Sequence, residues 1–178
     1  MRLFAMTLTV LASVVMSPML NADDSPKRSP ELQLLDRFAG TWDLVVTVKP
    51  TGGTAITEKT SEVRQWSPGG RFIHFQNPRL GQTDHPEFHM LVTYDPATKS
   101  YPGMLMSGAS RTFVDGTWDE ATKTMRFRGT FPDNALKFDV KNRFTDENQI
   151  ETSGSFTNAN GEVLSTRSDV QTRRKDKK

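Results

Sequence analysis

Met125-Arg126-Phe127-Arg128-Gly129-Thr130-Phe131 and, beyond the break at 131–135, Leu136-Lys137-Phe138-Asp139-Val140-Lys141-Asn142-Arg143-Phe144 decide the fold class of this chain. In the first run Met125, Phe127, Gly129 and Phe131 alternate with Arg126, Arg128 and Thr130. In the second, Leu136, Phe138, Val140 and Phe144 alternate with Lys137, Asp139, Lys141 and Arg143. Successive side chains of an extended backbone point to opposite faces, so each run reads as a strand with one apolar and one wet face. Trp42, Leu44, Val46 and Val48 repeat the pattern further upstream, with Asp43 and Thr47 opposite.

Outward from these runs the punctuation is regular. Turn-forming clusters fall at 51–54, 67–70, 77–86, 95–100, 107–110, 119–123, 131–135, 145–148 and 157–161. Nine breaks leave ten short segments, the spacing of an all-β meander. An open sheet of that size would leave two unpaired edges and a wet apolar face, whereas closure removes both. The expectation is an all-β fold, an antiparallel up-and-down β-barrel of about ten strands with one short N-terminal helix. For the helix, Ser29 can cap, Pro30 suits the first position, and Leu32, Leu35 and Phe38 recur at helical spacing before Gly40. The segment Ala55–Ser67 fits less well, because its inner face takes charged side chains in either register. It is expected at an opening or strongly bent.

The chain has 178 residues, the size of one domain. It contains no Cys, so thiol nucleophiles, thiolate metal sites and redox pairs are excluded. Met1-Arg2 precedes an apolar run from Leu3 to Met16, and Ser17-Pro18 and Leu20-Asn21-Ala22 follow. A positive start, a short apolar stretch and a small residue at the cut describe a secretory signal peptide. As a helix the run reaches about 21 Å, short of the roughly 30 Å hydrocarbon core of a bilayer. The domain reading is a signal peptide at 1–22, a linker at 23–30, the barrel at 31–172 and a basic tail at 173–178. The mature protein is expected in the periplasm or secreted, with no stable membrane anchor after cleavage.

Charge argues against nucleic acid. Of 23 Lys+Arg, Arg2 lies in the leader and Arg173, Arg174, Lys175, Lys177 and Lys178 in the tail. The body between carries 17 cations against 20 of the 21 acids, since only Asp176 lies outside it. A phosphate-binding face needs cations spread over a docking surface.

Several short motifs lie in order along the chain. They are Leu35-Asp36-Arg37-Phe38-Ala39-Gly40-Thr41-Trp42, Gly69-Gly70-Arg71-Phe72, Thr93-Tyr94-Asp95, Gly116-Thr117-Trp118-Asp119 and the closing Arg174-Lys175. With Gly-x-Trp at the head of its first strand, the chain resembles the calycin class of barrels, lipocalin-like and nitrobindin-like proteins. More closely it resembles an uncharacterised bacterial exported family, domain of unknown function 1579. The resemblance implies a barrel and brings no established activity. It also implies that Arg173 or Arg174 lies across Trp42, as a basic residue of the last strand does in lipocalins. Nitrobindin-like proteins hold haem iron through a late-strand His, but no His follows His89 here. No cofactor is expected.

The chemistry-bearing residues are sparse. His85, Glu87 and His89 project from one side of an extended chain, and His74 on the preceding strand could join them. Alternate residues of a straight strand stand about 7 Å apart, too far for one ion, so a solvated loop is the expectation and metal the lesser reading. Ser155, Ser165 and Ser168 have no later His, and no Gly-x-Ser-x-Gly elbow occurs. Arg71, His74 and Tyr94 around an anionic substrate at the barrel mouth form the enzymatic alternative; a structural or protein-interaction domain is a further one. The leading reading is a binding protein for a small apolar or amphipathic ligand, with Trp42, Leu44, Met104, Met106 and Phe127 around the barrel axis. Adaptable Met side chains suit such an interior.

Overall fold

The computed structural model describes residues 28–77 and 88–175. The leader at 1–22, most of the linker, His85, Glu87 and the last three residues lie outside the described residues. A single helical turn, α1 (Pro30–Gln33), runs on into a 3-10 turn over Leu34–Arg37. Ten strands follow: β1 (Gly40–Pro50), β2 (Ile56–Trp66), β3 (Ile73–Asn77), β4 (Phe88–Val92) and β5 (Gly103–Ser107), then β6 (Ser110–Asp119), β7 (Thr124–Phe131), β8 (Leu136–Asp146), β9 (Gln149–Thr157) and β10 (Val163–Arg173). Each pairs antiparallel with the next, and β10 pairs with β1 to close the barrel. The ten-stranded barrel and short helix expected from the sequence are both present.

The helical segment is too short to persist alone, and tertiary burial holds it. The Ser29 hydroxyl accepts the Leu32 N–H at 3.2 Å, and Leu35 and Phe38 are fully buried. The Phe38 ring meets those of Phe75 and Phe144 at 5.4 and 4.8 Å between centroids, so it plugs this end of the barrel. Trp42, directly beyond, donates its Nε1–H to the Phe38 carbonyl at 2.8 Å. Of the two arginines named for the place across Trp42, Arg173 occupies it, 4.4 Å from the ring centroid and paired with it in register. Its guanidinium donates to the carbonyls of Arg37, Ala39 and Glu147. Arg174 instead pairs with Asp43 outside.

Two readings need correction. Met104 and Met106 do not face the axis; Leu105 is the inward residue of β5, opposite Met90 of β4, while Met104 is 38% exposed. Met104-Leu105-Met106 is apolar throughout, so its alternation carries no sign, and register with β4 supplies it. The second concerns β2. The sequence pattern sets this segment at an opening or strongly bent. Along β1, however, it pairs over nine residues without a register shift, and it turns the buried Glu62 and Arg64 inward. These charges are accommodated by partners inside the barrel rather than by bending away from it.

Candidate functional site

Side chains do not fill the barrel. A cavity of about 200 Å³ runs from Arg64, Phe75 and Phe127 toward the end opposite the helix, where Phe88, Ser107, Phe131 and Phe156 line it near their strand ends. Its two sides differ chemically. Phe88, Met90, Leu105, Phe131 and Phe138, from β4, β5, β7 and β8, make an apolar wall. Glu62 and Arg64 of β2, Arg167, Asp169 and Gln171 of β10, Thr152 of β9 and Asn142 of β8 make a polar one. Gly129, on the inner face of β7, keeps the apolar wall in place. A Cβ there would stand 2.6 Å from the Phe138 ring and 2.7 Å from the Phe113 carbonyl.

Arg64 organises the polar wall. Its Nε donates to Glu62 Oε2 at 2.6 Å, and its Nη2 donates to the same carboxylate and to Gln171 Oε1 at 2.5 Å. Gln171 Nε2 donates to Thr152 Oγ1 at 2.8 Å, and that hydroxyl donates to Asn142 Oδ1 at 3.0 Å. The Asn142 amide reaches the Met125 carbonyl at 3.5 Å. A second ion pair stands beside the first: Arg167 donates Nε to both Asp169 oxygens at 2.9 Å and Nη2 to one at 2.7 Å.

Arg64 is taken from water, while the Arg167 side chain stays 30% exposed beside the fully buried Asp169 carboxylate. The Arg64 guanidinium lies 5.0 to 5.7 Å from the ring centroids of Trp42, Phe75 and Phe38. Burial pushes its pKa down, with Glu62 opposing. Burial also works against the Arg167 charge, but the Asp169 carboxylate more than offsets it and raises the pKa. Buried ion pairs contribute little or nothing net to stability, so a barrel selected for stability alone would more simply carry apolar residues here.

The other sequence candidates scatter. Leu44 and Phe127 line the cavity, while Trp42 lies buried beneath it against Arg64. Arg71 and Tyr94 border a shallow recess beside the helix, where Tyr94 packs on Tyr101 at 5.2 Å between centroids. His74 is not with them. It sits on the outer face of β3, Nε2 3.0 Å from Nδ1 of His89, with the rings stacked. Arg71, His74 and Tyr94 therefore do not converge on one site. Among the described residues no group of three or more His, Cys, Asp or Glu is placed to hold a metal.

Sequence reasoning missed Glu62, Arg64, Arg167, Asp169 and Gln171. The signal was available in part: charged residues stand two apart, and so on one face, at Glu62 and Arg64 and at Arg167 and Asp169, on the strands flanking β1.

A family model described as "Protein of unknown function (DUF1579)" matches residues 27–173. No curated protein matches the chain. Among solved structures, the S-type phycobiliprotein lyase CPES from Guillardia theta aligns with a TM-score of 0.60 at 10% identity, covering 86% of this chain and 97% of that one. Rv2717c from M. tuberculosis aligns with a TM-score of 0.63 at 14% identity, covering 83% and 99%. At these identities the likeness is one of fold, the calycin-like barrel.

Proposed function

The chain belongs to the DUF1579 family, and from its own interior we propose that it binds a small amphipathic molecule inside the barrel without transforming it. The observation that carries this reading is the unfilled cavity with an aromatic wall on one side and a hydrogen-bonded, charged wall on the other. An apolar cavity of about 150 Å³ takes a benzene ring, so the space here suits one ring, or a short chain, with a small polar head. A ring-sized body burying about 150 Å² gains about 4 kcal/mol, no more than the roughly 4 kcal/mol or more that association costs, so apolar burial alone does not hold it. The polar wall is what lifts affinity and gives selectivity.

Export belongs to the same proposal, supported by the leader-like residues 1–22. Intact mass of the protein from its native host tests it. A mature chain beginning near Asp23 is expected, and a cytosolic chain retaining Met1 refutes it.

Binding is tested by native mass spectrometry of protein taken from that compartment, followed by extraction of whatever it retains. A small molecule should be recovered from the wild type and lost from Leu105→Trp, which fills the cavity, with the circular dichroism of the two unchanged. No retained molecule, together with no NMR response to ring-sized and short-chain amphipaths, overturns the proposal.

A further inference from the structure

We infer that the molecule held in the barrel presents an uncharged hydrogen-bond acceptor, such as a ketone, amide or ester carbonyl, to the wall formed by Arg64, Arg167 and Gln171, and that this wall rejects carboxylates. The inference rests on reading the interior as a binding site, and it names the chemical class that site selects.

The direction of every hydrogen bond along the wall follows from Arg64. A guanidinium only donates, so the Gln171 side chain must turn its carbonyl toward Arg64 and its amide toward Thr152. Thr152 then donates to Asn142, whose carbonyl is likewise committed. Each side-chain carbonyl of the chain is engaged within the wall. Apart from the carboxylate oxygens of Glu62 and Asp169, what remains is N–H: the second amide hydrogens of Gln171 and Asn142, and Nη1 of Arg167 outside its bonds to Asp169. Arg64 Nη1 is buried and has no hydrogen-bond partner among the described residues. The wall is rich in donors, which calls for an acceptor in the ligand.

Charge decides which acceptor. Arg64 is neutralised by Glu62 and Arg167 by Asp169, so the lining is donor-rich yet balanced. An incoming carboxylate would face two fixed carboxylates and give up its hydration with no unpaired cation to receive it. Arg173, the next cation, does not line the cavity and is committed to backbone carbonyls at the helix end. A neutral carbonyl satisfies the same donors at much smaller desolvation cost.

Acetophenone, benzoate and ethylbenzene share a ring and nearly the same size, and differ in carrying a neutral acceptor, a charged one and none. Titrated into the mature wild-type protein at pH 7 and followed by NMR, acetophenone should bind about tenfold more tightly than either of the others. In the double variant Arg167→Met/Asp169→Leu, which removes a neutral pair as a unit, its advantage over ethylbenzene should shrink while ethylbenzene binding holds. Benzoate binding tightest overturns the inference and leaves the interior as a binding site. Ethylbenzene matching acetophenone does the same. Failure of all three to bind the folded wild type overturns the inference and the proposed function together.

Discussion

Removing the Glu62 carboxylate should cost this protein more stability than removing the whole ion pair to which it belongs. In Glu62→Leu, the Arg64 guanidinium stays buried, its side chain 3% exposed, among Trp42, Phe75 and Phe38, with Gln171 as its remaining side-chain acceptor. Breaking a buried pair from one side costs about 3–5 kcal/mol, because the surviving charge is desolvated and unpaired. For a domain of this size each kcal/mol moves the melting temperature by about 2–4 °C, so a drop of about 10 °C is expected. The double variant Glu62→Leu/Arg64→Met removes both charges and fills much of the same volume. It forfeits only the Gln171 hydrogen bond and should lie within about 1 kcal/mol of wild type. Thermal and urea unfolding of wild type, both single variants and the double at pH 7 close the cycle. A Glu62→Leu loss below about 1 kcal/mol, or a double variant as damaged as the single, would show that the pair is not desolvated as described.

Gly129→Ala should destabilise by about 1–3 kcal/mol and abolish retention of the bound molecule, since the added methyl meets the Phe113 carbonyl as well as the Phe138 ring. Urea unfolding and native mass spectrometry read the two effects, and an unchanged midpoint would refute the contact. Burial and then the neighbouring His89 hold the His74 pKa below its ordinary value. Between that lowered value and the ordinary value near 6.5, the unfolded chain binds more protons than the folded one at this group. Stability should therefore fall as pH drops through about 6.5, and His74→Gln should flatten the slope between about pH 7 and 5. A slope unchanged by that substitution would show that the group is not responsible.

The strands that could be read in advance are those whose alternation is unambiguous. Apart from the outward Val45 and the inward Asn142, β1, β7 and β8 carry apolar residues on one parity and charged or polar ones on the other, so facing direction is written into the local chain. The helical turn was equally legible, because its cap, its Pro and its apolar spacing all lie within Ser29–Gly40. β5 was not, since three consecutive apolar residues are compatible with either face.

The site lay further out of reach. Residue pattern determined about ten antiparallel strands, best closed as a barrel, and one short N-terminal helix, because strand periodicity and turn chemistry are local properties. Only the tertiary structure decided which charges of β2 are inside and what they meet there. Arg64 and Gln171 are 107 residues apart and come within hydrogen-bond distance because β2 and β10 both pair with β1. A charged inner face looks like an error in an isolated strand. Barrel closure set the opposing dipoles in place and made it a wall, and no local propensity encodes that juxtaposition.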